Sequence, residues 1–239
     1  MALNLSGAFT ALVTPFRSDG SLDLDALARL VEWQIESGIS GLVPCGSTGE
    51  SATLTPEEHI RVVRHVVEVA SGRVPVVAGT GSNSTREAIE LTAAARSAGA
   101  DGALLISPYY NKPTQEGIYQ HYRMVALEGG LPIVLYNIPY RTGVSLTNET
   151  LLQLAWHPNV VGMKDCGADR AQSIDLLRQR PAGFRVLTGE DAQYYEALTD
   201  GARGDADLLA LCIDAARARA TVGEMSDAME AAFGRHAAQ

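Results

Sequence analysis

Lysine is almost missing from this chain. Of 19 basic residues among 239, all but Lys112 and Lys164 are arginine. Basic residues are in turn outnumbered by 28 acidic ones, for a formal net charge of −9. That balance argues against a nucleic-acid backbone or an anionic membrane surface as partner. A small anionic substrate stays open, because a pocket can be locally positive. Cysteine is scarce too. Cys45, Cys166 and Cys212 are odd in number and far apart, so neither a disulfide framework nor a zinc site is expected. No apolar run approaches the roughly 18 residues of a membrane span. The first residues lack a basic region followed by a long apolar stretch, so a secretory leader is not expected. The histidines do not cluster; His59 and His65 stand six apart, off a common helix face for a metal. These absences leave a reduced, soluble, cytoplasmic protein.

What is present is a rhythm. Short apolar, β-branched runs begin at Phe9, Ser40, Val74, Gly102, Pro132, Val160 and Phe184, and end at Phe16, Cys45, Gly79, Pro108, Asn137, Asp165 and Gly189. Their starts lie 24 to 34 residues apart, the length of a βα unit. The runs are apolar throughout rather than alternating, as suits strands of a parallel sheet buried on both faces. Helical stretches with start signals separate them. Thr55-Pro56-Glu57-Glu58 offers a cap, a first-position Pro and acidic residues in the first turn, with Ile60, Val63, Val67 and Ala70 following at helical spacing. Ser84 and Thr147 open similar stretches, and Gly38, Gly72 and Gly99 sit where helices should stop.

Seven such units mean an α/β fold, either doubly wound or a (β/α)8 barrel. A doubly wound nucleotide binder needs a Gly-rich phosphate loop after its first strand. Here that strand ends Thr14-Pro15-Phe16-Arg17, and neither Gly46–Gly49 nor Gly79–Gly81 completes a dinucleotide or P-loop motif. The barrel is therefore the expectation, over residues 1–204. After Gly204 the pattern breaks. Asp205-Ala206-Asp207-Leu208-Leu209 is rich in Ala and Leu, so 205–239 reads as a short helical segment with the eighth strand atypical or truncated.

In a barrel of this type the chemistry sits at the C-terminal ends of the strands. Those ends carry Ser47 and Thr48, Tyr109 to Lys112, Tyr136, and Lys164. Lys164 follows Val160-Val161-Gly162-Met163. A lysine there is partly desolvated, which favours the neutral amine and hence a Schiff base with a carbonyl compound. The plainer alternative is a solvated lysine paired with Asp165. Tyr136 suits a proton shuttle or a satisfied core hydroxyl. Ser47 and Thr48 suit a carboxylate cradle or an ordinary turn. Tyr109-Tyr110 suits active-site phenols or a contact with another subunit. Arg141 suits a bidentate clamp on a carboxylate or a solvated loop position.

Five segments settle which family the chain resembles. Thr10–Phe16, Gly46–Leu54, Pro108–Pro113, Tyr136–Gly143 and Gly162–Asp165 resemble, in order, motifs of the dihydrodipicolinate synthase (4-hydroxy-tetrahydrodipicolinate synthase) family, from about residue 5 to residue 204. The resemblance implies a (β/α)8 barrel with a C-terminal helical domain, assembled as a homotetramer. It also implies condensation of pyruvate with L-aspartate-4-semialdehyde, without metal or organic cofactor. Lys164 would form the Schiff base and Tyr136 would be the general acid/base. Ser47, where most members have Thr, would link Tyr136 to Tyr110 of the neighbouring subunit. Thr48 would hold the pyruvate carboxylate and Arg141 that of the semialdehyde. L-lysine would inhibit at a site built from Ser51, Ala52, Leu54, His59, Asn83, Glu87 and Tyr109, with Pro56 replacing a His that lysine-sensitive members often carry. N-acetylneuraminate lyase, another pyruvate-dependent aldolase, is the alternative within the family. A catalytically impaired relative serving as a binding protein is the alternative outside catalysis. In the family a β-branched eighth strand follows Gly204, then about 80 mostly helical residues. Asp205 and Asp207 at the start of that strand imply a weakened barrel, since a buried unpaired carboxylate costs several kcal/mol.

Overall fold

Strand and helix alternate along the chain, as the sequence predicts. The computed structural model describes residues 3–167 and 169–190. Their strands are β1 (Phe9–Ala11), β2 (Gly41–Val43), β3 (Val77–Gly79), β4 (Gly102–Ile106), β5 (Ile133–Asn137), β6 (Val160–Asp165) and β7 (Arg185–Thr188). The helices are α1 (Leu24–Glu36), α2 (Pro56–Ala70), α3 (Thr85–Ser97), α4 (Gln115–Glu128), α5 (Pro139–Thr142), α6 (Asn148–Ala155) and α7 (Arg170–Gln179). Every pairing between named strands is parallel, and the order β3-β4-β5-β6-β7 follows the chain. β1 pairs with β2, and β2 reaches β3 through a bridge at Leu42–Val76 and the bond from Gly79 N–H to the Pro44 carbonyl, 2.9 Å. A doubly wound sheet reverses its order partway; this one does not, as befits a barrel wall.

Two apolar layers follow from the period of two along each strand. Leu42, Ala78, Leu105, Leu135 and Met163 join the helices in the larger core, with Val62, Val63 and Val66 of α2. Val43, Val77, Leu104, Val134 and Tyr136 form a smaller inner cluster with Leu5, Ile138 and Cys166. One end of that cluster is stopped by the N-terminal segment. A side chain on Gly102 would meet Leu3 Cδ2 at 2.6 Å, and one on Gly162 would meet Leu5 Cδ1 at 3.1 Å. Removing the buried Leu5 from water contributes about 1.5–3 kcal/mol.

The helix starts match the sequence signals. Thr55 caps α2 in a full capping box, with Glu58 N–H bonded to Thr55 Oγ1 and Thr55 N–H bonded to Glu58 Oε2. Ser84 and Thr147 cap α3 and α6. Gly38, Gly72 and Gly99 lie past helix ends with positive φ. Three expectations are corrected. The first strand stops at Ala11, not Phe16, and Phe16 bridges back to Leu22 around a turn over residues 17–21 that holds Gly20 at positive φ. The buried face of α2 centres on His59, Val62, Val63 and Val66 rather than Ile60 and Val67, because α2 is wedged between α1 and α3. Arg141 lies in the one-turn helix α5, not in a loop. The expectations for 205–239, the eighth strand included, lie outside the described residues. No helix among the described residues is long and apolar enough to cross a membrane.

Candidate active site

β5 and β6 run side by side, and their register sets Tyr136 directly across from Lys164. Both face the inner cluster at the C-terminal ends of their strands. Lys164 is half-buried, and its Nζ stands 4.7 Å from the centre of the Tyr136 ring. The alternative of a pair with Asp165 does not hold. The Asp165 carboxylate accepts from Asn137 Nδ2 (3.1 Å), Gly167 N–H (2.9 Å) and Ser173 Oγ (2.8 Å), and among the described residues it makes no ion pair with Lys164. Successive strand residues point to opposite faces, so Asp165 points away as Lys164 points in. Asn137 also accepts from Leu146 N–H at 3.1 Å, which ties the end of β5 to the segment leading into α6.

The Tyr136 phenol is only 6 % exposed. Burial pushes its pKa up, the neighbouring Cys166 thiol pushes it further, and Ser47 pulls it back. Cys166 is 3 % exposed; burial raises its thiol to about 11 against the opposing pull of the Lys164 charge and of the Tyr136 hydrogen bond. Gly189, just past β7, completes the setting. A side chain there would collide with both Cys166 Sγ and Lys164 Cε, so only glycine leaves room for the lysine stem. Cys166 is not among the candidate site residues that the sequence offers. The available signal was its i+2 spacing from Lys164, which keeps both on one face of an extended chain.

The turn after β2 holds Ser47 and Thr48 exposed above a buried Gly49. Thr14 Oγ1 donates to the Gly49 carbonyl at 2.7 Å, which explains why the Thr-Pro-Phe segment accompanies this turn. A side chain on Gly49 would come within 2.9 Å of the Leu12 carbonyl, so the turn packs against β1 through glycine alone. Arg141 is exposed, 5.6 Å from the centre of the Tyr140 ring, and Tyr140 donates to Glu190 at 2.9 Å. Tyr110 is 90 % exposed in the left-handed region (φ 70°), with Lys112 also at positive φ and laid against Gly143. The structure thus brings Lys164, Tyr136 and Ser47 together, with Arg141 outside this group and Tyr110 pointing to solvent.

The residues expected for lysine lie between α2, α3 and the loop after β4. Ser51 and Leu54 are half-buried, Ala52 and Glu87 exposed, Asn83 and Tyr109 half-buried. Ser82 donates to Glu87, and Asn111 Nδ2 reaches the Asn83 carbonyl at 3.4 Å. His59 is buried; its Nε2 bonds the Gly79 carbonyl at 2.7 Å and its Nδ1 has no partner among the described residues. Burial holds its imidazolium below the usual range, and the Glu87 charge opposes that.

The profile of the dihydrodipicolinate synthetase family matches residues 4–219. The 4-hydroxy-tetrahydrodipicolinate synthase of Nitratidesulfovibrio vulgaris (strain Miyazaki F) is 54% identical over 203 residues, 84% of this chain and 69% of the relative. That of Cellvibrio japonicus is 47% identical over 215 residues, 90% of this chain and 74% of the relative. Among solved structures, the chloride-inhibited dihydrodipicolinate synthase from Acinetobacter baumannii, complexed with pyruvate, superposes with TM-score 0.84 at 43% identity over 95% of this chain and 80% of that one. The DHDPS from Cyanidioschyzon merolae with lysine bound does so with TM-score 0.83 at 36% identity over 95% and 79%.

Proposed function

This chain belongs to the dihydrodipicolinate synthetase family, and on that premise we propose that it condenses pyruvate with L-aspartate-4-semialdehyde through a Schiff base on Lys164. The product is 4-hydroxy-tetrahydrodipicolinate, at the first committed step of lysine and diaminopimelate synthesis, and the enzyme is a cytoplasmic lyase. The observation that carries the assignment to Lys164 is its placement across from Tyr136, 4.7 Å from the ring, without a carboxylate partner among the described residues.

Lys164 Nζ attacks the pyruvate ketone, and the carbinolamine loses water to leave an iminium. Tyr136 carries protons at this step, supplying one to the departing hydroxyl. The iminium draws electrons from the methyl group, which loses a proton to give an enamine. Thr48, with the N–H groups of its turn, holds the pyruvate carboxylate. The enamine carbon then attacks the aldehyde carbon of the semialdehyde, whose carboxylate Arg141 receives. The amino group of the condensed chain attacks the imine carbon, releases Lys164 and closes the ring. One water leaves in the whole sequence, at imine formation.

Ser47 relays protons between Tyr136 and Tyr110 of a neighbouring copy in a homo-oligomer, a tetramer by family resemblance. The exposure of Tyr110 supports this, because a phenol that faces away from its own barrel is available to another. Lysine inhibition at the Glu87 and Tyr109 cluster is part of the same reading. Reduction with borohydride in the presence of pyruvate tests the core of it. The reduced adduct is expected on the peptide containing Lys164. Labelling at Lys112 instead, or none on folded protein, overturns the assignment. An assay with both substrates separates this synthase from an aldolase for another aldehyde.

A further inference from the structure

We propose that Tyr140 is a positioning residue for the second substrate: its phenol is tied to Glu190 and its ring carries the Arg141 guanidinium, so the arginine stays open to the carboxylate of the aldehyde instead of pairing with Glu190. The inference rests on the reading of Arg141 given above. Four observations bear on it. Tyr140 Oη donates to Glu190 Oε1 at 2.9 Å. The Arg141 guanidinium carbon stands 5.6 Å from the centre of the Tyr140 ring, within the range of a cation–π contact. Among the described residues Arg141 makes no ion pair, and neither does Glu190. Tyr140 follows β5 and Glu190 follows β7, the two neighbours of β6, so their bond spans the end of the strand that carries Lys164.

The backbone of α5 fixes where the Arg141 side chain begins but not where it ends. Arg141 N–H bonds the Ile138 carbonyl at 3.0 Å, and Gly143 closes the turn in the left-handed region (φ 73°). Adjacent residues on a helical turn diverge by about 100°, so Arg141 meets the neighbouring ring only by folding its stem back toward it. A guanidinium and a carboxylate that share one neighbour would ordinarily close on each other as a bidentate pair. Such a pair leaves no fork for a substrate. Tyr140 intercepts it from both sides. Its hydroxyl takes one Glu190 oxygen, and its ring gives the cation a neutral rest from which an incoming carboxylate can draw it. The Glu190 carboxylate also raises the phenol's pKa, which keeps on it the proton that the bond needs.

Steady-state kinetics with the semialdehyde varied at saturating pyruvate, and then the reverse, separate the two substrates. Tyr140→Ala, Tyr140→Phe, and Tyr140→Phe combined with Glu190→Gln are compared with the wild-type chain. Each is checked for folding by its melting curve and for imine formation by borohydride trapping. Tyr140→Ala removes ring and phenol, so KM for the semialdehyde is expected to rise about three-fold or more, with KM for pyruvate within about two-fold of wild type. Tyr140→Phe keeps the ring but frees Glu190 to capture the arginine, and a similar rise is expected. Adding Glu190→Gln removes the competing charge and returns KM for the semialdehyde to within about two-fold of wild type. An unchanged KM for the semialdehyde in Tyr140→Ala, or a rise in Tyr140→Phe that Glu190→Gln does not relieve, overturns the inference while leaving Arg141 in its role. Arg141→Ala tests that role separately: if it leaves KM for the semialdehyde unaltered, the reading of Arg141 falls and this inference with it. A wild-type chain that traps pyruvate but consumes no semialdehyde overturns both as well. Should Tyr140→Ala fail to fold, the two Phe variants decide alone.

Discussion

Tyr136→Phe keeps the ring against Lys164 and removes only the hydroxyl. We expect kcat to fall about 10²–10⁴-fold, the usual yield of a placed acid/base group, while borohydride still traps pyruvate on Lys164 at long times. Rapid-quench trapping checks both halves; an unaltered kcat would take the phenol out of the reaction. His121 offers a second residue-scale test, on stability. The residue is 4 % exposed, Nδ1 meets Thr85 Oγ1 at 2.9 Å, and Nε2 has no partner among the described residues. Burial lowers its pKa to about 4. The unfolded chain takes up this proton near 6.5 and the folded one only near 4, so the unfolded state binds more protons between those values. Stability is therefore complete above about pH 6.5 and lost as pH falls toward 4, by about 3 kcal/mol from this group. Urea unfolding of His121→Gln is expected to show a flatter slope between pH 4.5 and 6.5, and an unchanged slope would remove His121 from the account. Lys164 was legible in the sequence because lysine is so rare there and because it ends an apolar strand. Cys166 was not, since thiol spacing signals metals and disulfides but not a buried thiol packed beside a phenol and a lysine stem.

At the scale of elements, the capping box of α2 and the glycine after β7 make separable predictions. Thr55→Ala removes the acceptor for Glu58 N–H and is expected to cost about 1 kcal/mol, or about 2–4 °C in a chain of this size. Its site chemistry, more than a turn away from Ser47, stays as it was; loss of imine trapping would mean that the cap also shapes the turn. Gly189→Ala is expected to do the reverse, keeping the fold and losing most borohydride trapping, because the new methyl takes the space of the Lys164 stem. Calorimetry and peptide mass measurement together check the pair. The βα rhythm was readable from apolar runs and caps because both are local. Strand ends were not. Pro44 directly follows Val43 and carries no N–H to continue a ladder, so β2 ends before its apolar run does. The one-turn helix α5 left no periodicity to read, being too short for one face to repeat.

At the scale of the whole molecule, Tyr110 carries the test of assembly. If a neighbouring copy supplies it, a Tyr110→Ala chain has a sound Lys164 and Tyr136 but spoils its neighbour's site. Mixing it with the Tyr136→Phe chain under conditions of subunit exchange is expected to return activity toward about a quarter of wild type, the share of sites that random pairing makes whole. Each variant alone stays weak, and no recovery on mixing would return Tyr110 to its own chain. The inner cluster has a further consequence. Among the described residues, Leu3 and Leu5 cover the inner face of the wall at the end opposite Lys164. On the proposed reaction the semialdehyde therefore approaches from the side of the strand ends, where pyruvate is already moored by its own covalent bond, and the imine acts as the latch that fixes the order of arrival.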